Sequence, residues 1–379
     1  MNNEIKFRIP ISTIVVSFIL TGTINTLGND FMVRGFANSS FVWEDGGTTF
    51  GNLGLSPIFL WETDRILVES ELEITATGSH GAELALPYLS LNYDLTSGLR
   101  GQVGKLLLPF GIFGPRLHPS WINKLPTAPM GFSHDDLVPM SDLGAALRGI
   151  IPFENFRFGY SVYLTNGPQI ATDTMEVGML RFGMEDNNTN KALGGRLELV
   201  YLSQETLEIG LSGMLGEAGE DALNSMAILG AVDFSYQRPS TLLHGMIDLK
   251  SQANWIQVDR KDYGIGTPFQ NQSWNYVGQL AYRPAFTNLQ WIRNLEAVGR
   301  FAQLQYAPDA PWNKEGTEWA LGLNYWLTWN SLIKVAWIKG SEDHGMPGMN
   351  GMSVQNGASS AASGEHRDGK LVVQMAIGL

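Results

Sequence analysis

Between Lys105 and His134 the chain carries three ionisable side chains, Arg116, His118 and Lys124, and no acid. A one-signed cluster of this kind forms no bonds by itself; it attracts, holds or sorts solutes of opposite charge. Ser120 and Asp135 lie near His118 in the sequence, as a hydrolytic serine would need, but no nucleophile elbow frames them. His118, set between Leu117 and Pro119, reads as a loop-packing or pore-lining residue.

Upstream, Glu69, Glu71 and Glu73 recur at every second position, which in a strand places all three on one face. Lys105 precedes the cluster, and Arg100, Arg148, Arg157 and Arg196 sit on the polar faces of their own segments. An acidic strand opposite a basic loop would set a transverse field across a narrow aqueous passage. The same charges would serve equally to solvate a polar lumen, or to pin the loop by pairing Arg116 or Lys124 with a wall carboxylate. A second chemistry is written in HGMPGMNGM, where His344, Met346, Met349 and Met352 put soft donors on a glycine-rich tether, a set that suits Cu(I). The alternative there is a low-complexity loop in which methionine is incidental.

The elements that position these groups follow from period and punctuation. Gly104–Phe132 contains five prolines and four glycines, so neither a helix nor a central strand runs through it. An apolar loop of that length is usually functional. The rest of the chain falls into segments of roughly 8 to 11 residues with apolar side chains at alternate positions, the β period. Trp319, Leu321, Leu323, Tyr325 and Leu327 share one face, and Ala320, Gly322, Asn324 and Trp326 the other. Short connections such as Thr328–Ser331 alternate with long ones such as Ser251–Ser273 and 340–369, so one rim carries turns and the other loops, as in outer-membrane barrels.

Composition agrees. Charged residues are 16% and hydrophobic residues 44%, yet no apolar run approaches the roughly 20 residues of a membrane helix. A net charge of −12 argues against a nucleic-acid partner, and the absence of cysteine excludes disulfides, thiolate chemistry and a lipoprotein anchor. Residues 1–28 read as a signal peptide: Lys6 and Arg8, the apolar Ile11–Leu20, then small residues before a mature start near Asn29. A soluble sandwich shows the same alternation. The export signal, low charge, two-rim asymmetry and aromatics at segment ends (Trp319, Tyr325, Trp326, Trp329, Trp337) favour the barrel.

Three runs, Ser56–Ile74, Gly101–Phe113 and Asp186–Leu199, together resemble the phosphate-selective porin superfamily. The resemblance implies a trimeric, 16-stranded barrel whose third loop folds inward. Phosphate-specific members line the eyelet with arginine and lysine; this chain has 25 basic against 37 acidic residues and departs from that.

The expectation is an all-β, transmembrane antiparallel barrel of about 16 strands over residues 29–379, with 104–132 as an inward-folded constriction loop and 340–369 as a long outer loop. Its role would be a cofactor-free, non-enzymatic porin of the bacterial outer membrane, a homotrimer in lipid that admits small hydrophilic solutes or ions, anions among them. The alternatives are a scaffold or sheath for a partner protein, or a membrane-embedded hydrolase. The pore set is Arg116, His118, Lys124, Lys105, Arg100, Arg148, Glu69, Glu71 and Glu73.

Overall fold

The computed structural model describes all residues except 1–23, 27–28, 45–46, 78–80, 133–136, 171–179, 184–185, 202–206, 220–224, 263–267, 308–313 and 345–368. The alternation in the sequence becomes long strands, each antiparallel to the next. In chain order these are β1 (Asn29–Glu44), β2 (Gly47–Glu62), β3 (Ile66–Thr77), β4 (Gly81–Thr96), β5 (Leu99–Leu107), β6 (Ser141–Pro152), β7 (Phe156–Thr165) and β8 (Ala192–Tyr201). They continue as β9 (Leu207–Ala218), β10 (Ser225–Ser240), β11 (Gly245–Lys261), β12 (Phe269–Pro284), β13 (Leu295–Tyr306), β14 (Lys314–Trp326), β15 (Ser331–His344) and β16 (Lys370–Gly378). β16 pairs with β1, from Leu371 against Trp43 to Gly378 against Phe36, so the sixteen strands close on themselves and leave no edge. Ile24–Thr26 adds a short strand against the start of β1.

Closure sorts the two faces. On β14, Trp319 (58% exposed), Leu321 and Leu323 point outward, while Ala320 and Asn324 are fully buried within. Bare leucine and valine around the outside cost little only where the surroundings are lipid. Among the described residues no helix is long and apolar enough to cross a membrane; the strands have the length to do so.

Boundaries differ from the sequence reading in several places. The expected outer loop 340–369 begins later, because β15 runs on to His344. The segment Ser251–Ser273, read as a loop, is mostly strand, because its polar residues alternate inward. Gln252, Asn254, Asn271, Ser273 and Asn275 are buried, whereas Trp255 and Trp274, paired in register, face out. The proline-rich loop also starts later. Gly104 pairs with Ser90 and Gly144 inside β5, at φ +124°, and a Cβ there would lie 2.3 Å from Leu89 O. Only glycine lets the strands approach that closely. The loop proper, L3, spans residues 108–140, and its neck is closed by Leu108 N donating to Met140 O at 2.9 Å.

Candidate functional site: L3 and the cavities on either side of it

Six prolines leave L3 with more carbonyls than N–H groups, so its acceptors must find donors elsewhere. The inward faces of β12–β16 supply them. Lys334 Nζ donates to Ser120 O (2.5 Å), Leu125 O (3.3 Å) and Gln374 Oε1 (2.9 Å). Arg300 donates to Thr127 O and Thr127 Oγ1, both at 2.8 Å, and is held by Glu318 at 2.8 Å. Asn324, Gln374 and Asn275 donate to the carbonyls of Lys124, Pro126 and Met130. In the other direction Gln252 accepts from Ile112 N (2.8 Å) and Phe113 N (3.1 Å), and Ser212 from Gly111 N. Every one of these wall residues is buried, so L3 lies inside the barrel, bound along the wall from β9 to β16.

Apolar packing reinforces that side. Phe110, Ile112, Phe113 and Phe132 join Leu229, Ile256, Val258, Val277 and Leu304 in one buried cluster. Trp121 stands edge-on to Trp329 in the β14–β15 turn, 6.1 Å between rings, so L3 reaches the turn rim there.

The loop cations are paired with walls rather than left free. Arg116 forks to Glu198 of β8 (2.5 Å) and Glu208 of β9 (2.6 Å). Both carboxylates also touch Arg196, which is bonded to Asp233 as well. Lys124 meets Glu296 at 2.6 Å and lies over the ring of Trp326 at 5.5 Å. Trp326, expected in the outer aromatic girdle, turns inward and donates Nε1–H to Glu296 at 3.2 Å. His118 reaches Glu71 of β3. Of the sequence's two roles for Arg116 and Lys124, a free cationic patch and a pin, the contacts are those of a pin.

Two cavities lined by described residues lie against L3. The inner one, about 810 Å³, opens toward the turn rim through Asp64, Arg65 and Ser97, and its charged walls include Glu69, Arg100 and Arg148. The outer one, about 540 Å³, lies between L3 and β1–β3, with Glu71, Glu73, His118 and Lys370 on its walls. Glu69 is held by Ser90 Oγ at 3.1 Å and Asn92 Nδ2 at 3.3 Å. Arg100 pairs with Asp94 at 2.6 Å. Arg148 donates to Leu107 O at 2.8 Å, and among the described residues its Nε finds no acceptor. Arg100 and Arg148 are direct cross-strand partners.

Lys105 does not join this set. It is paired with Leu89 and Leu143, both exposed on the outer surface, and donates to Leu86 O at 2.8 Å. Directly paired residues share a face, so Lys105 stands on the outside, the parity of the strand placing it opposite Arg100. Ser120 and His118 are not hydrogen-bonded to each other: the ring nitrogens of His118 contact Gly114 O and Glu71. Asp135 lies outside the described residues. So do Met346, Met349 and Met352 of the copper reading, and His344 ends β15.

Sequence reasoning missed the wall donors Lys334, Arg300, Asn324 and Gln374. Their signal was present: a charged or amide side chain in the middle of an apolar-alternating segment, on the face away from lipid.

No protein-family model and no curated protein matches the chain. Solved structures do. The outer membrane channel DcaP of Acinetobacter baumannii matches with TM-score 0.59 at 10% identity, covering 95% of this chain and 100% of that one. An anion-selective porin from Comamonas acidovorans gives 0.55 at 15% identity, with 93% and 100% covered. Salmonella typhi OmpF, in complex with daunomycin, gives 0.56 at 11%, with 93% and 98% covered. At such identities the likeness carries the fold, and the fold is the porin-type barrel of bacterial outer membranes.

Proposed function

We propose that this chain, exported by its N-terminal 28 residues, is an outer-membrane porin, a homotrimer that passes small hydrophilic solutes between L3 and the β1–β8 side of the wall, with a preference for anions. The observation that carries the reading is the inner cavity. Arg100 and Arg148 oppose each other directly across the β5–β6 ladder on its wall, and of the two only Arg100 has a carboxylate, Asp94, in contact among the described residues. Like charges directly opposite each other are destabilising; an oxyanion passing beside them relieves the repulsion and takes charge-assisted hydrogen bonds from the two guanidinium groups. Glu69 of β3 lines the same cavity, two strands from Arg100. The resemblance to phosphate-selective porins fits an anion path, but the mixed charge of this cavity favours small organic or inorganic anions in general over phosphate.

The test is single-channel recording in planar bilayers under a salt gradient. Folded protein should conduct, with a reversal potential on the anion side, and Arg148→Gln should move that potential toward the cation side. Silence from folded barrels would overturn the channel; an unmoved potential would overturn the anion preference. A scaffold or sheath role draws on the apolar packing of L3, which fills much of the β9–β16 side, and silence is the result it expects. Nothing in the contacts of Ser120 and His118 favours a hydrolase, and the reading involves no chemical step.

A further inference from the structure

The rim of turns is divided in charge. From β2 to β7 it is acidic: Glu62 and Asp64 stand at the first turn, Asp94 beside the second, and Glu154 in the third, between the stacked rings of Phe153 and Phe156. From β10 to β15 the three connections, residues 241–244, 285–294 and 327–330, contain no acid. They carry exposed apolar side chains instead: Leu242, Leu243, Phe286, Leu289, Trp291 and Trp329. Leu242 is 84% exposed and Trp329 80%, in positions where short polar turns would serve as connections.

These turns are joined to one another. Ala285 N donates to His244 O at 2.8 Å and links the first to the second; Trp326 N donates to Asn294 O at 2.9 Å and links the second to the end of β14. The second turn holds the helix α1 (Gln290–Arg293), none of whose four side chains is buried. Arg283 Nε donates to Arg293 O at 2.7 Å and fixes its last turn. The result is an ordered shelf with apolar groups on show, and exposed apolar patches on ordered structure mark interaction sites.

The shelf is continuous with the lipid-facing surface above it. Tyr282 ends the outward row of β12, after Trp274, Tyr276 and Leu280, and its hydroxyl donates to Leu243 O at 2.6 Å. Leu295, two residues past Arg293, pairs with Tyr325, which continues the outward row of Leu321 and Leu323. Tryptophan and tyrosine at the edge of an apolar band sit at headgroup level. Two exposed cations stand in the same belt. Arg238 continues the outward row of β10 after Ile228 and Val232, and Arg293 closes α1. Basic residues beside exposed aromatic and leucine side chains suit a membrane surface that carries negative charge. The turn rim of an outer-membrane barrel faces the periplasm, so the surface in reach is the periplasmic leaflet.

We propose that the β10–β15 turn shelf is a binding site for anionic phospholipid of the periplasmic leaflet. Arg238 and Arg293 take the phosphate and its net negative charge, while Phe286, Leu289 and Trp291 enter the boundary between headgroups and acyl chains. The acidic turns of β2–β7 repel the same headgroups, so the lipid is held on one side of the barrel.

The experiment is native mass spectrometry of the folded, detergent-extracted full chain, titrated with phosphatidylglycerol or with phosphatidylcholine of the same acyl chains. Heat-modifiable gel migration checks folding. Wild type should retain phosphatidylglycerol several-fold more than phosphatidylcholine. Arg238→Gln with Arg293→Gln should abolish that preference; Arg293→Gln alone should reduce it. Phe286→Ser with Trp291→Ser should lower retention of both lipids, which a purely electrostatic contact would not show. Lys339→Gln, which removes an exposed cation of β15 at the opposite, loop rim, should leave the preference intact. Equal retention of the two lipids by wild type overturns the site, as does an undiminished preference in folded Arg238→Gln, Arg293→Gln protein. So does a loss from Lys339→Gln as large as that from Arg293→Gln, and retention indifferent to Phe286→Ser with Trp291→Ser would turn the shelf over to a periplasmic protein instead. None of these readouts involves conduction, so the porin reading stands or falls separately.

Discussion

The two sides of the lumen treat the same loop differently. Along β9–β16, L3 is bonded through its backbone carbonyls to buried side chains and packed on an apolar cluster. Along β1–β8 it is met by single side-chain contacts, Arg116 to β8 and His118 to β3, with the cavities open around them. The side that anchors has given up solvent; the side that faces solvent has kept its charges. A porin needs both, since a constriction must stay in place while ions move past it. The division follows from composition: a proline-rich loop lacks donors, so whichever wall offers buried donors becomes the anchor.

The comparison breaks most severely if the anchor is cut. Arg300→Met removes three hydrogen bonds to L3 and leaves Glu318 without its guanidinium. Breaking a buried pair from one side costs about 3–5 kcal/mol, and here the cost falls on the docking of L3 rather than on the strand ladder. The expected outcome is an intact, heat-modifiable barrel whose L3 is nicked by protease and whose single-channel conductance rises several-fold. A barrel with L3 still protected would mean that the apolar cluster alone holds the loop.

Cutting a contact on the open side should do less. The side chain of Arg116 is 43% exposed and its pairs with Glu198 and Glu208 are screened by water, so Arg116→Gln should cost about 0.2–1 kcal/mol. Glu198 and Glu208 keep Arg196 as a partner. Conductance should hold near wild type while the reversal potential shifts modestly toward cations, measured against the larger shift of Arg148→Gln.

Much of this architecture was legible because period and parity decide it. Trp319, Leu321 and Leu323 announce a lipid-facing strand without any tertiary information, and the prolines announce L3. Strand ends were less legible: Gln252 and Asn254 look like loop residues until it is known that the inner face is where polar groups belong. Which carboxylate meets which cation was not legible at all. Glu198, Glu208 and Glu296 lie 82, 92 and 172 residues from their L3 partners, and no local pattern encodes that distance. The glutamates singled out by spacing, Glu69, Glu71 and Glu73, line the cavities, and Glu71 meets His118 of L3.

The smallest effect is assigned to the residue that parity displaces. Lys105 and Arg100 lie on one strand, five residues apart, and an odd separation puts them on opposite faces. Arg100 lines the inner cavity, whereas Lys105 is paired with the outward Leu89 and Leu143 and spends its ammonium on Leu86 O, where Pro87 interrupts the ladder. A charge on the lipid side of the sheet is separated from the passage by the wall itself. Lys105→Gln should therefore leave the reversal potential where wild type has it, under the salt gradient in which Arg148→Gln moves it. A shift from Lys105→Gln as large as that from Arg148→Gln would show that the Gly104 distortion turns β5 over, and the assignment of faces along β5 would have to be reversed from that point to L3.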